Sequence, residues 1–425
     1  MSKIAFVGNS LQTMCNFRMG VMRHLVHLGH DVVVVVPQDA DTEILRKEHI
    51  RLIPIEVDCK GTNPIADIRL AKTLKKIYQR EKFDFLFHYT IKSVIYGSWA
   101  AQKANIPHIS VITGLGYTFL KRNLLNRLVV AMYRRSLSHA ESVWFLNQTD
   151  QQVFTTLKIL PYEQTRLING EGVDTTKYQT QVPLSNSPFT FLYIGRMLWD
   201  KGVGLFVEAA HIIKEKYPQA IFQVLGPLSS DNPNNISPSQ LEEWHNSGVV
   251  NYVGCTSNVL PHLEQSTCIV LPTFYPEGMP RVLMEAASMQ RPIIASNVPG
   301  CREVVIEGKN GYLCLKKNIN SLVSCMEKML TLSAEELTVM GSAGREHVLQ
   351  LFDEKKIIAI YQQQLEEFLV WGKDVQFAGI YYSDPAVYML AKKYGMENIL
   401  IYNQDTVLII CTLLPNSLHY PYLAI

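Results

Sequence analysis

The chain alternates short apolar runs with longer amphipathic ones, and the alternation starts over once. Residues 3–8 (KIAFVG) read as a strand, 18–28 as a helix, 31–37 (DVVVVVP) as a strand, and 65–82 as a basic helix. Residues 84–90 (DFLFHYT) then read as a strand, 93–104 as a helix and 108–114 (HISVITG) as a strand. A helix with Lys121, Arg122, Arg127, Arg134 and Arg135 among large apolar residues follows, then strands in ESVWFLN (141–147) and TRLIN (165–169). After the Pro/Ser-rich stretch VPLSNSPF (182–189) the pattern restarts. FTFLYIG, AIFQVLG, VVNYVG and CIVLPT read as strands and 203–216, 240–246 and 282–289 as helices, with a further strand in RPIIASNVPG (291–300). Strands that are apolar on both faces and separated by helices imply parallel sheets covered on both sides. The expected fold class is therefore α/β, with two doubly wound, Rossmann-like domains facing each other across a cleft. The expected bounds are 1–184 and 185–350, then a helix at 351–371 returning to the first domain, and an extra segment at 372–425. That segment reads as strand, helix, strand (FAGIYY, 385–394, NILIYN) and carries no recognisable chemistry. In such sheets the ligand site is the crevice at the carboxyl edges of the strands.

Composition narrows the function. A length of 425 residues with 47% hydrophobic content gives ample core for two or three domains. A formal net charge of +2 argues against a nucleic-acid protein. The charge is uneven, with 23 Lys and Arg against 15 Asp and Glu in residues 1–180 and 17 against 23 in the rest. A basic first half points to an anionic ligand or surface met there. The eight cysteines, Cys15, Cys59, Cys255, Cys268, Cys301, Cys314, Cys325 and Cys411, form no CxxC pair, so buried thiols of a reducing cytosol are expected, without disulfides or zinc. The start MSKIAFVGNS lacks a signal-peptide core, and no run reaches the roughly 20 apolar residues of a membrane span. TVLIICTLL (406–414) is too short, and the expectation is a soluble or peripheral protein.

The stretch FYPEGMPRVLMEA (274–286) sets Glu277 in a loop and Glu285 inside an apolar helix, with Pro280 suited to the first helical turn. Two carboxylates so placed can grip opposite ends of an extended ligand, with the positive end of the helix between them. A carboxylate inside an apolar helix needs a partner: a ligand hydroxyl, or the salt bridge to an Arg or Lys that would make Glu285 structural. Asp39-Ala40-Asp41 spells the D-x-D by which some transferases hold a metal, but its place before a short helix reads more simply as loop and cap carboxylates.

EGMPRVLMEA resembles the E-x7-E motif of the retaining glycosyltransferases of family 4, which have the GT-B fold. Three further stretches match that family in order: YIGRMLWDKGV its Gly-Arg…Lys-Gly loop, INGEGVD its interdomain element, and VPGCREVVIEGKNGYL its following Gly-rich element. HYTIKSVIYGSWAA and VITGLGYTF look like the subgroup that extends polyprenyl-diphosphate-linked sugars, N-acetylgalactosaminyltransferases among them. The resemblance covers about residues 1–371. It implies transfer of a sugar, best matched by an N-acetylhexosamine, from a UDP-sugar to a lipid-linked or surface-polysaccharide glycan, with neither cofactor nor metal required.

By the same resemblance Arg196 and Lys201 hold the diphosphate and Glu277 the sugar hydroxyls, these three forming the catalytic set. Glu285 meets the ribose, and Gly278, Met279, Gly195, Gly8 and Asn9 complete the donor site. Lys92, Thr90 and Arg18 lie on the acceptor side, although Lys92 also reads as a solvated lysine and Arg18 as a packing charge. His88 ends the same strand as Thr90, and His108 reads as structural. The basic helix 121–135 fits anionic lipid headgroups, and equally an ordinary packed helix with a solvated face. Placement is expected on the cytoplasmic face of the inner membrane. Two departures stand out: the family's glycine-rich first loop keeps only Gly8 in GNSLQTMCNFR, and the family's donor-site His is replaced in Thr113 to Gly116. No side-chain general base is assigned, because the departing phosphate can accept the acceptor's proton. Two rival readings are a GT-B-like nucleotide-sugar epimerase and a non-catalytic nucleotide-sugar-binding subunit.

Overall fold

The structure, a computed structural model, describes residues 1–40, 42–58, 63–116, 119, 124–228, 232, 234–378, 397–402 and 408–412, with side chains as far as 369. Cys59, Asp41 of the D-x-D, Lys121 and Arg122 of the basic helix, and the expected helix at 385–394 lie outside the described residues.

The first sheet contains β1 (Lys3–Val7), β2 (Asp31–Val36), β3 (Arg51–Pro54), β4 (Phe85–Tyr89), β5 (His108–Ile112), β6 (Ser142–Phe145) and β7 (Thr165–Leu167). Their order across the sheet is β3-β2-β1-β4-β5-β6-β7, and every pairing is parallel. The second contains β8 (Thr190–Ile194), β9 (Ile221–Leu225), β10 (Asn251–Tyr252), β11 (Cys268–Leu271), β12 (Ile293–Ser296) and β13 (Gly311–Cys314), in the order β10-β9-β8-β11-β12-β13, again all parallel. Central strands such as FLFHY and CIVL are buried at every position, as sheets covered by helices on both faces require. The order reverses between β1 and β4 and between β8 and β11, which opens a crevice at the carboxyl edge of each sheet.

Both sheets belong to one compact unit, Met1–Tyr361. The chain returns from the second sheet to the first through the backbone bonds Val173 N–H to Phe352 O and Glu354 N–H to Val173 O, both 2.9 Å. It then enters the long helix Glu354–Ala378. Tyr361 packs its ring against Phe6, Phe87 and Trp144 and shares a hydroxyl hydrogen bond of 2.9 Å with Tyr89. Residues Gln362–Ile425 form the second unit, in which Glu397–Tyr402 and Leu408–Thr412 pair as antiparallel strands.

Several expectations change. The first helix starts at Leu11, not at 18, because Ser10 caps it by accepting the Thr13 N–H at 3.3 Å. β3 went unread because Pro54 breaks a strand pattern everywhere but at a sheet edge, which is where β3 lies. Pro280 is the residue before the helix Arg281–Ser288, not its first helical one. In the tail, one helix runs through Phe377 and Ala378 where a strand was expected, and NILIYN lies in the hairpin. Among the described residues no helix is long and apolar enough to cross a membrane.

Candidate active site

At the carboxyl edge of the second sheet, the loops after β8 and β11 bring together residues 70 or more positions apart. After Gly195 and the exposed Arg196, the chain makes a tight turn at Trp199–Lys201 and enters the helix Val203–Lys216. Gly202 takes φ +82°, and a Cβ there would stand 2.1 Å from the Pro272 carbonyl oxygen, so only glycine lets the two loops meet. The Asp200 carbonyl accepts from Phe274 N–H at 2.8 Å, Tyr275 N–H at 2.9 Å and the Thr273 hydroxyl at 3.2 Å, tying the second loop onto the first. Lys201 Nζ thereby reaches Glu277 Oε1 at 2.5 Å, and the Thr273 hydroxyl donates to the same oxygen at 3.1 Å. Their side chains are 14% and 9% exposed, so this ion pair is little screened by water. Lys201 Nζ also lies 4.9 Å from the Tyr275 ring centre, and burial raises the Tyr275 hydroxyl above its ordinary value while the nearby Arg196 charge opposes that rise. Burial, with the Glu277 charge close by, raises the Tyr193 hydroxyl above its ordinary value and keeps it neutral. Beside this pair a cavity of about 300 Å³ opens among Trp199, Asp200, Asn234, Phe274, Tyr275 and Lys317.

Glu285 sits in the helix Arg281–Ser288, where Arg281 Nε donates to its Oε1 at 2.9 Å. The partner is thus an arginine one turn earlier, so the salt bridge weighed in the sequence is present. The same arginine places its guanidinium 5.5 Å from the Phe17 ring centre on the first helix. Tyr178 is raised above its ordinary value by burial first and by the Glu285 carboxylate second.

Gly278 and Met279 lie against the loops of the first sheet. A Cβ on Gly278 would stand 2.1 Å from the Thr113 carbonyl oxygen, and one on Gly170 would stand 3.0 Å from Met279 Cγ. The backbone of Thr113 and Gly114 therefore lies directly against the Glu277 loop. Asn147, two residues beyond the end of β6, donates from Nδ2 to the Gly278 carbonyl at 2.9 Å. Arg302 reaches back to the Thr149 hydroxyl at 3.2 Å.

The acceptor-side residues are differently placed. With the helix starting at Leu11, the first loop shrinks to Gly8, Asn9 and Ser10, where Gly8 N–H bonds Val35 O at 3.2 Å. Few glycines are needed in so short a turn. Arg18 is 4% exposed, pairs with Glu171 at 2.5 Å and holds its guanidinium 3.9 Å from the Tyr89 ring centre, so it is a packed charge and not an acceptor contact. Burial raises the Glu171 carboxyl while Arg18 opposes that rise. Lys92 Nζ bonds Asp67 Oδ1 at 2.7 Å, and Tyr96 donates to the other oxygen at 2.8 Å, so its charge is balanced within the fold. Thr90 takes φ +67°, a strained conformation for a β-branched residue, just before the π-helical turn Ser93–Gly97. His88 is fully buried between Tyr78 and Ser98, and burial lowers it well below its ordinary value. Asp39 accepts Leu11 N–H at 2.6 Å, capping the first helix, which accounts for the first carboxylate of the D-x-D. In the basic helix, Leu124–Leu137, Arg134 is used internally, donating to the Lys158 and Leu157 carbonyls at 2.9 Å. Leu124, Leu125 and Leu128 stand exposed beside Arg127.

Sequence reasoning missed Asn147, Arg281 and Glu171. The available signals were an Asn-x-x-Asp cap after a strand, a cation four residues before Glu285, and a carboxylate between the two glycines of NGEGVD.

Comparison with known proteins bears on the family and the fold. Residues 174–347 match the family described as Glycosyl transferases group 1, and residues 3–147 match Glycosyl transferase 4-like. The chain is 27% identical over 377 residues to the N,N'-diacetylbacillosaminyl-diphospho-undecaprenol alpha-1,3-N-acetylgalactosaminyltransferase of Campylobacter jejuni, covering 84% of this chain and 97% of that relative. It is 27% identical over 379 residues to the capsular polysaccharide biosynthesis glycosyltransferase CapM of Staphylococcus aureus, covering 81% and 97%. Among solved structures, Anabaena HepE in complex with UDP and glucose superposes with a TM-score of 0.70 at 18% identity, over 86% of this chain and all of that one. With its two facing parallel sheets and its matched halves, the chain is a glycosyltransferase of family 4 with the GT-B fold.

Proposed function

We propose that this glycosyltransferase moves an N-acetylhexosamine, with retention, from a UDP-sugar to a glycan carried on a polyprenyl diphosphate. The observation that carries this reading is the Lys201–Glu277 pair at the crevice edge. A donor laid across it meets cations at its diphosphate and a carboxylate at its sugar, so the bond between them lies over the pair. As the anomeric C–O bond breaks, negative charge grows on the departing diphosphate, where Arg196 and Lys201 stabilise it most. The acceptor hydroxyl forms the new C–O bond on the same face, and its proton passes to a diphosphate oxygen. That route asks for no side-chain base and no metal. Glu285, shared with Arg281, holds the ribose, and the Gly278–Met279 backbone lies along the diphosphate and sugar.

The named activity of the Campylobacter relative supports the lipid-linked acceptor and the acetamido sugar. Exposed Leu124, Leu125 and Leu128 beside Arg127, and Ile65 and Ile68 on the basic helix Pro64–Glu81, supply apolar and cationic groups for an anionic membrane face. The test is transfer of radiolabelled sugar from a panel of UDP-sugars into membranes bearing lipid-linked acceptors, with and without EDTA. Label in the lipid fraction, undiminished by EDTA, is the expected result. Release of free sugar without lipid labelling would turn the assignment to the epimerase, and UDP binding with no turnover would turn it to a binding subunit.

A further inference from the structure

Asn147 uses its amide completely. Its Oδ1 accepts the Asp150 N–H at 2.9 Å, and its Nδ2 donates both to Asp150 Oδ2 at 3.1 Å and to the Gly278 carbonyl at 2.9 Å. The first bond caps the helix Gln148–Thr156, as an asparagine in that place does anywhere. The bond to Gly278, 131 residues away, contributes nothing to that helix. Yet Asn147 is 1% exposed, so its amide is held in one orientation by the cap and by Asp150.

What the bond fixes follows from peptide geometry. A trans peptide is planar, with its C=O and N–H pointing opposite ways, and among the described residues only Ser187–Pro188 is cis. The Gly278 carbonyl and the Met279 N–H belong to one peptide, so anchoring the first aims the second away from Asn147. Glycine would otherwise let this peptide turn over cheaply. Thr113 blocks the other side, as the absence of room for a Cβ shows. Among the described residues the N–H groups of Gly278 and Met279 have no protein acceptor, which leaves them for a ligand.

We propose that Asn147 is a positioning residue for transfer: by holding the Gly278 carbonyl from the first sheet, it presents the Met279 N–H to the donor diphosphate and sugar, with Asp150 orienting its amide. The donor loop is thus completed only when both sheets' loops are together. This rests on the reading that the Glu277 loop holds the donor.

The test uses Asn147→Ser, which keeps a capping oxygen but loses the amide donor, and Asn147→Asp, which keeps the cap and sets a carboxylate against the carbonyl. The protein is labelled with 15N-methionine, Met279 is assigned through Met279→Leu, and UDP is titrated in. The wild-type Met279 amide signal is expected to shift with UDP, and the shift to shrink several-fold in Asn147→Ser. Transfer should show kcat reduced about 100-fold, more in Asn147→Asp, with the KM for donor changed far less and the melting temperature nearly unchanged. An equal Met279 shift in wild type and variant, or an unchanged kcat, overturns the proposal. So does a loss of kcat that only tracks a fall in melting temperature. A wild-type protein whose Met279 amide ignores UDP overturns the donor reading, and this inference with it.

Discussion

Lys201 and Glu277, singled out at the edge of the second sheet, converge, whereas the polar residues singled out at the edge of the first sheet turn inward. Lys201 and Glu277 meet at 2.5 Å, with the Thr273 hydroxyl on the same carboxylate and the Tyr275 ring beside Lys201. Arg18, Lys92 and His88 each face a partner inside the first sheet's own packing: Glu171, Asp67 and Tyr78. The second group was chosen as a spaced set, in which each residue has its use only with the others. The first group was chosen one residue at a time, Arg18 from the stretch after the first strand and His88 and Lys92 from the end of DFLFHYT. A single charge near a strand end usually has a structural duty, because a half-buried ion must be balanced before it can serve a ligand.

The largest effect expected is on stability and not on transfer. Arg18→Met leaves Glu171 buried without its ion pair and should cost about 3–5 kcal/mol in urea unfolding, with much of it regained in Arg18→Met/Glu171→Leu. A stable Arg18→Met protein defective only in transfer would return Arg18 to the acceptor side and break the contrast between the two edges.

At the other edge the loss should be catalytic. Lys201→Ala and Glu277→Gln should each lower kcat/KM for transfer about 100- to 1,000-fold in protein shown to be folded, a loss beyond the stability cost of breaking a pair whose side chains are 14% and 9% exposed. If both variants unfold early and keep wild-type turnover once folded, the pair is structural, and the second edge is no different from the first.

What could be read in the sequence follows the same division. Strands such as FLFHY and DVVVVV announce themselves because nearly every side chain is apolar, and the order of the family motifs puts the expected donor residues at the edge of the second sheet. The helix Ala334–Leu351 is harder to see, since Gly341 and Gly344 interrupt its pattern; in the structure they let it press onto the Gln290 carbonyl and Ala287. In the first helix only the start hides: Ser10 caps it at Leu11, ahead of the apolar pattern read from 18, while Gly20 gives room to Glu354. Asn147 looked like one more helix cap, because a bond to a carbonyl 131 residues away leaves no mark in local spacing.

A pH measurement sharpens the contact between the two edges. Burial raises Asp150 from 3.8 to about 7, while the Asn147 amide opposes the rise and the Glu303 carboxylate adds to it. In the folded protein Asp150 therefore keeps its proton between pH 4 and 7, where the unfolded chain has lost it. Its contribution to stability is complete below about pH 4 and is lost as pH rises through about 7. Asp150→Asn should flatten that decline, so that its stability relative to wild type improves by about 1–3 kcal/mol between pH 5 and pH 8. Parallel wild-type and variant curves over this range would mean that Asp150 is ionised in the fold.

The smallest effect is expected at Lys92. Removing it leaves Asp67 still accepting from Tyr96 at 2.8 Å, and the pair is partly exposed, so Lys92→Ala should cost about 1 kcal/mol of stability. Transfer measured at saturating donor while the lipid-linked acceptor is varied should give an unchanged KM for acceptor. The outcome that would undo the contrast is a KM raised tenfold or more in a protein of nearly wild-type stability. Lys92 would then leave Asp67 to meet an acceptor phosphate, and the first edge would carry a binding group that its internal pairing conceals.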